Sequence, residues 1–209
     1  MVPAKDQQLI QIVDAAFADA ARRSGDWLVC RAGCTQCCHG VFEITLLDAA
    51  RLQAGWKELR ERDPRRADRV FRRAKQAVER HAAEFPGDAE SGILHEDEES
   101  EQRFEAYAND EPCPALDPET GTCDLYAARP VTCRVFGPPI RDERGGLGVC
   151  ELCYHGATEE QIAQCEMVPD TDDLESQLVV DVENRAKLEG YTIVAYALTR
   201  ELEEKDTNS

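Results

Sequence analysis

Leu9, Ile10, Val13, Ala16, Phe17 and Ala20 recur at helical spacing, so residues 5–23 are predicted to form an amphipathic helix ending near Gly25. Thr45 followed by Asp48 predicts the start of a second helix that runs to about residue 60. Asp63 with Pro64 predicts a third, whose stripe of Val70, Phe71, Ala74, Ala77, Val78 and His81 continues to about residue 85. There the periodicity breaks. Residues 86–100 are rich in Gly, Ser and acids and predict a solvated loop, the best place for an insertion. Residues 110–148 hold six prolines and read as loop-rich, with Arg144-Gly145-Gly146 as a turn and short strands expected at 104–108 and 148–152. Thr158 with Gln161 has the form of a capping box for a short helix. Residues 170–188 predict another helix that Gly190 ends, and 191–204 a last one. The expected fold is mainly α with short β pieces, its helices enclosing a cysteine-rich, loop-built centre.

Composition narrows the class. A chain of 209 residues can bury a core without covalent staples. No stretch approaches the roughly 18 apolar residues of a membrane span, and the first residues lack a charged-then-apolar leader pattern. The expectation is therefore a soluble, cytoplasmic protein. Forty-two acidic against 24 basic side chains leave a net charge of -18, which argues against nucleic acid and membrane partners. The charge is uneven: residues 51–81 carry eleven Lys or Arg against five acids, and residues 84–111 eleven acids against Arg103 alone. Solvated helix faces that neutralise one another explain this; a basic helix that docks a nucleotide, an RNA or an acidic partner is the sharper reading.

Ten cysteines in a reducing compartment point to metal or redox chemistry rather than to disulfides. The first group is Cys30-x3-Cys34-x2-Cys37-Cys38, followed by His39. Two thiols separated by two residues can turn back onto one metal. The side chains of adjacent Cys37 and Cys38 are expected to diverge and to serve two sites, or one site and one neighbouring contact, rather than a single tetrahedral ion. The second group is Cys113, Cys123 and Cys133, and the third is Cys150-x2-Cys153 with His155 nearby. Cys165 follows alone and reads as a buried free thiol. Zinc or an iron-sulfur cluster would each accept four of these thiolates. His39 and His155 are spare ligand candidates beside the cysteines.

These residues resemble the YkgJ-like cysteine-cluster family, described as a zinc- or iron-chelating domain. The resemblance lies in Cys34-x2-Cys37-Cys38 with a Cys just before it, in Cys113-Pro-x-Leu, and in the run Cys123-x2-Tyr126-x2-Arg129-Pro130-x2-Cys133-Arg134-x-Phe136. It implies metal ligands at Cys30, Cys34, Cys37, Cys38, Cys113, Cys123 and Cys133, with Cys150 or Cys153 as the eighth. Eight ligands make two sets of four. The chain then reads as one metal-binding domain over 1–209, with a cysteine-cluster region over 27–155, a helical insertion over 45–100 and C-terminal helices over 158–204.

Eight thiolates on two zinc ions add about four negative charges to an acidic chain, which favours an iron-sulfur cluster or iron over zinc as the cofactor. Arg129 and Arg134 are placed to offset thiolate charge or to pin the loop as salt bridges. The functional expectation is a metal-binding protein with a redox or iron-dependent modification role, working with a protein or redox partner, and no reaction is assigned. A structural zinc module for partner binding is the alternative. The spacing Cys30-x3-Cys34-x2-Cys37 also matches the radical S-adenosylmethionine motif, and flagellin lysine methylases carry a similar cluster, so a methyl-transfer role is a third reading. The strand-helix alternation of the radical enzymes is missing after Cys38.

Overall fold

A computed structural model describes residues 2–31, 33–141 and 145–203. The described residues are about 51% helical, with eight α-helices among them and short strands in two-stranded sheets. It is mainly α with short β pieces, the class its periodicity predicts. Two units divide it. The first contains Thr35–Pro130 and the chain from Leu178 onward, the second Ala4–Cys34 and Val131–Gln177.

In the first unit, β1 (Glu43–Thr45) leads directly into α2 (Leu46–Arg62), and α3 (Pro64–His81) follows after Asp63. Both helix starts are capped as the sequence predicts: Thr45 accepts from the Asp48 N–H, and Asp63 from the Arg66 N–H with proline in the first turn. The helix α3 stops at His81, short of residue 85. Of its buried stripe, Ala67, Val70 and Ala74 meet Leu52 and Leu59 of α2, together with Val194 and Leu198 of the C-terminal helix, while Ala77 joins the cluster of Phe85, Leu94 and Tyr196. Gly55 brings α2 against a 3-10 turn at Tyr126–Ala128; a Cβ there would lie 2.2 Å from the Ala128 Cβ. Gly55→Ala is expected to cost about 1–3 kcal/mol through overpacking, against a gain of under about 1 kcal/mol in helix propensity. Urea unfolding checks this, and an unchanged midpoint would show that the turn moves aside freely.

Three expectations are corrected in this unit. Residues 86–100 are not a solvated loop: β2 (Gly87–Asp88) pairs with β3 (Ile93–Leu94), and α4 (Glu98–Glu105) starts on an Asp97 cap. Leu94, Phe85 and Tyr196 share one core cluster, and Pro86 is fully buried. The few apolar side chains of an acidic segment therefore anchor it, while its acids stay outside. The strand expected at 104–108 is instead the end of α4 and a turn; Glu98, Glu99 and Glu101 favour the N-terminal end of that helix dipole, and Phe104 stacks on Tyr107 at 6.2 Å. At the C-terminus, residues 191–193 leave the expected helix to form β8 (Tyr191–Ile193), antiparallel to β1 with Ile44 opposite Thr192. The helix that remains, α8 (Val194–Thr199), is buried from Val194 through Leu198, so it has no polar face for periodicity to mark. Glu204, where the expected helix ends, lies outside the described residues.

The second unit contains α1 (Asp6–Ser24), α5 (Val131–Val135) and α6 (Glu159–Gln164), and α7 (Leu174–Ala186) begins in it. Arg134 of α5 pairs with Asp14 of α1 at 2.8 Å, and Arg23 donates to the Glu166 carbonyl at 2.9 Å. The capping box at Thr158 and Gln161 forms with both hydrogen bonds. The strand expected at 148–152 shrinks to Leu147–Gly148, paired with Ile140–Arg141, because the chain must turn at once to bring Cys150 and Cys153 together. Arg144 of the expected turn lies outside the described residues. Among the described residues no helix is long and apolar enough to cross a membrane.

Candidate metal centres

Each unit holds its own thiols: Cys37, Cys38, Cys113 and Cys123 in the first, and Cys30, Cys34, Cys133, Cys150, Cys153 and Cys165 in the second.

In the first unit a 3-10 turn, Gln36–Cys38, delivers two adjacent thiols. The Cys113 N–H donates to the Cys38 carbonyl at 2.7 Å, and His39 and Pro112 form a β-bridge, so the first group is laced to the second. The strands β4 (Leu116–Asp117) and β5 (Thr122–Cys123) set Leu116 opposite Cys123. The hairpin thus returns Cys123 toward Cys113, and the sulfurs of Cys37, Cys113 and Cys123 lie within electrostatic reach of one another. The Cys38 thiol lies close enough to the Cys37 thiol to raise it.

The surroundings are arranged for thiolate. The backbone N–H groups of Ala115 and Leu116 face the Cys113 sulfur and that of Leu125 faces Cys123. The Arg129 guanidinium, stacked 4.1 Å above the Tyr126 ring, acts on both Cys37 and Cys123. Burial opposes ionisation. It pushes the Cys113 thiol up to about 12 and raises Cys123. Cys37 rises chiefly through the neighbouring Cys38 thiol, with burial adding to it.

The loops are fixed from α3. The Asp124 carboxylate, next to Cys123 and with a fully buried side chain, pairs with Arg66 and with Arg73, the latter at 2.6 Å. Arg73 also donates to the Pro114 carbonyl, next to Cys113, at 2.8 Å. One guanidinium therefore holds both cysteine loops. The segment before Cys113 is tied at Glu111, which Arg80 and His81 engage; His81 Nε2 lies 2.9 Å from its carboxylate. Sequence reading missed Asp124, Arg66 and Arg73, although Asp124 directly follows a cysteine of the motif.

In the second unit Cys150 and Cys153 form one turn, with the Cys153 N–H on the Cys150 carbonyl at 2.9 Å and the Cys150 thiol close enough to raise that of Cys153. The N–H groups of Val29 and Cys30 face the Cys153 sulfur, whose ionisation burial opposes. Gly137 sits against Cys30, a Cβ there falling 3.5 Å from its Sγ, and its carbonyl accepts from the Cys150 N–H at 3.4 Å. Cys30, Cys150 and Cys153 are thus neighbours. Cys34 closes a turn on Arg31, and Cys133 lies on α5. Cys165 is buried in one cluster with Cys150, Cys153 and Tyr154. Arg134 is taken up by Asp14, in the loop-pinning role. His39 and His155 are both exposed.

Among the described residues no three His, Cys, Asp or Glu side chains stand close enough together to hold a metal ion. The donor types themselves suit a soft or borderline metal such as zinc or iron: four half-buried thiols, with N–H groups facing the sulfurs of Cys113 and Cys123. The CxxCxxCC family model, described as "Putative zinc- or iron-chelating domain", matches residues 29–153, more than half of the chain. No curated protein and no solved structure matches it.

Proposed function

The chain belongs to the CxxCxxCC family of zinc- or iron-chelating domains, and from that membership we propose that Cys37, Cys38, Cys113 and Cys123 bind one metal ion as a four-thiolate centre. The proposal extends to a second centre drawn from Cys30, Cys34, Cys133, Cys150 and Cys153. The observation that carries the single-ion reading is that Cys37, Cys113 and Cys123 lie within electrostatic reach of one another while the Cys113 N–H bonds to the Cys38 carbonyl. With metal-sulfur bonds of about 2.3 Å, neighbouring sulfurs of a tetrahedral site are about 3.8 Å apart. A four-iron cluster holds its thiolates farther apart around a larger core. On this reading the metal cross-links loops distant in the chain and fixes the fold of the first unit.

A second reading gives the same cage one-electron chemistry with iron. The N–H groups at Cys113 and Cys123 and the charge of Arg129 favour it, since they offset the negative charge of a thiolate-bound iron in its reduced state. Metal and acid-labile sulfide analysis of anaerobically purified protein tests the proposal. The expected result is bound zinc or iron without sulfide; stoichiometric sulfide would sink the single-ion reading. Iron that cycles reversibly between two oxidation states would select the second reading, and colourless zinc protein the first.

Proton release is a further expected outcome. Cys37, Cys113 and Cys123 all have raised values, that of Cys113 to about 12, so without metal they are protonated at neutral pH. Binding requires thiolate and displaces those protons, so affinity rises with pH, about tenfold per unit for each proton lost. Calorimetry in buffers of different ionisation enthalpy counts them. Metal uptake without proton release would contradict thiolate ligation.

A further inference from the structure

The eleven basic residues of 51–81 do not share one fate. Arg51 pairs with Asp48, Lys57 with Glu201, Lys75 with Glu79, Arg80 with Glu111, and Arg66 and Arg73 with Asp124, while Arg60 lies 5.5 Å from the Trp56 ring. Arg62, Arg65, Arg69 and Arg72 are exposed and make no hydrogen bond or ion pair among the described residues. The last three recur at spacings of four and three along α3, so they line one strip of its outer face. Asp68 lies beside the strip, and Asp117 feels the charge of Arg69, but neither forms an ion pair with it.

Like charges at these spacings destabilise a helix by a few tenths of a kcal/mol per pair, and in a chain with net charge -18 acids to neutralise them are abundant. We propose that Arg65, Arg69 and Arg72 form the docking surface for an acidic segment of a partner protein. The inference stands independently of which metal the thiols bind. Guanidinium groups engage carboxylates through paired parallel hydrogen bonds, a geometry lysine cannot supply. From residue 65 to 72 the strip rises about 10 Å, enough for two or three carboxylates on a short segment. A longer polyanion such as RNA would overrun it onto acidic surface and be repelled. Arg66 and Arg73, about a quarter turn around α3 from the strip, hold the loops of Cys113 and Cys123, so a partner seated on the strip lies beside the residues that fix those loops.

The test is fluorescence anisotropy of the full-length, metal-loaded protein with a fluorescein-labelled octaglutamate peptide and, separately, an octauridylate of matched charge. The peptide is expected to bind, more weakly as salt rises, and Arg65→Gln/Arg69→Gln/Arg72→Gln to weaken binding at least fivefold with the melting temperature unchanged. A control variant, Arg22→Gln/Lys57→Gln/Lys187→Gln, removes equal charge elsewhere and keeps the affinity. No peptide binding, a smaller loss in the strip variant, an equal loss in the control, or tighter binding of the oligonucleotide would each overturn the proposal.

Discussion

Replacing Cys113 with serine is expected to empty the metal centre of the first unit and to lower the thermal midpoint of the loaded protein by about 8–16 °C. The magnitude follows from linkage: a ligand held at a thousand times its dissociation constant stabilises the folded state by about 4 kcal/mol, and each kcal/mol shifts the midpoint of a chain this size by about 2–4 °C. Cys113 is the informative position because its backbone N–H bonds to the Cys38 carbonyl and its sulfur receives two further N–H groups. The substitution removes a ligand while the loop remains laced. Serine is close to isosteric with cysteine, so little of the loss belongs to packing. The comparison that isolates the metal is wild type after chelation, which is expected to melt near the variant. Equal midpoints for loaded wild type and variant would remove Cys113 from the ligand set.

Arg73→Met is expected to destabilise the protein by about 2–4 kcal/mol. Methionine keeps the apolar stem but leaves the fully buried Asp124 side chain with Arg66 alone. An orphaned buried charge costs roughly 3–5 kcal/mol, and the surviving partner reduces that. The same change frees the Pro114 carbonyl, so both loops lose their common tether and metal affinity falls with stability. A second substitution, Asp124→Asn, in the Arg73→Met background is expected to recover part of the loss, since it removes the stranded charge. Urea unfolding of the four proteins of this cycle measures the coupling. A cost below about 0.5 kcal/mol for Arg73→Met would place the clamp among surface ion pairs of little consequence.

The clamp also shows why the basic run resists reading from composition. Arg66, Arg69 and Arg73 are the same residue type on one helix, yet two of them are tied to Asp124 and one is not. Their fates depend on an acid more than fifty positions away, which no local spacing encodes. The apolar stripe of α3, its Asp63 cap and its proline were legible because each is decided within one or two turns. The acidic segment 86–100 was misread for the opposite reason: its few buried side chains, Pro86 and Leu94, are ordered by partners at Ile193 and Tyr196, far along the chain.

By itself the sequence determined the helical class, the capped starts of α2, α3 and α6, and the kinship with metal-chelating domains, because helix periodicity, caps and thiol spacing are all short-range properties. Tertiary structure alone decided that Cys37 comes within electrostatic reach of Cys113 and Cys123, and that Cys30 neighbours Cys150 and Cys153. It also turned the expected C-terminal helix into a strand and a short buried helix. The physical reason is common to these cases. A strand ladder, a buried ion pair or a thiol cage takes its energy from groups distant in sequence, and that energy exists only once the intervening chain has closed.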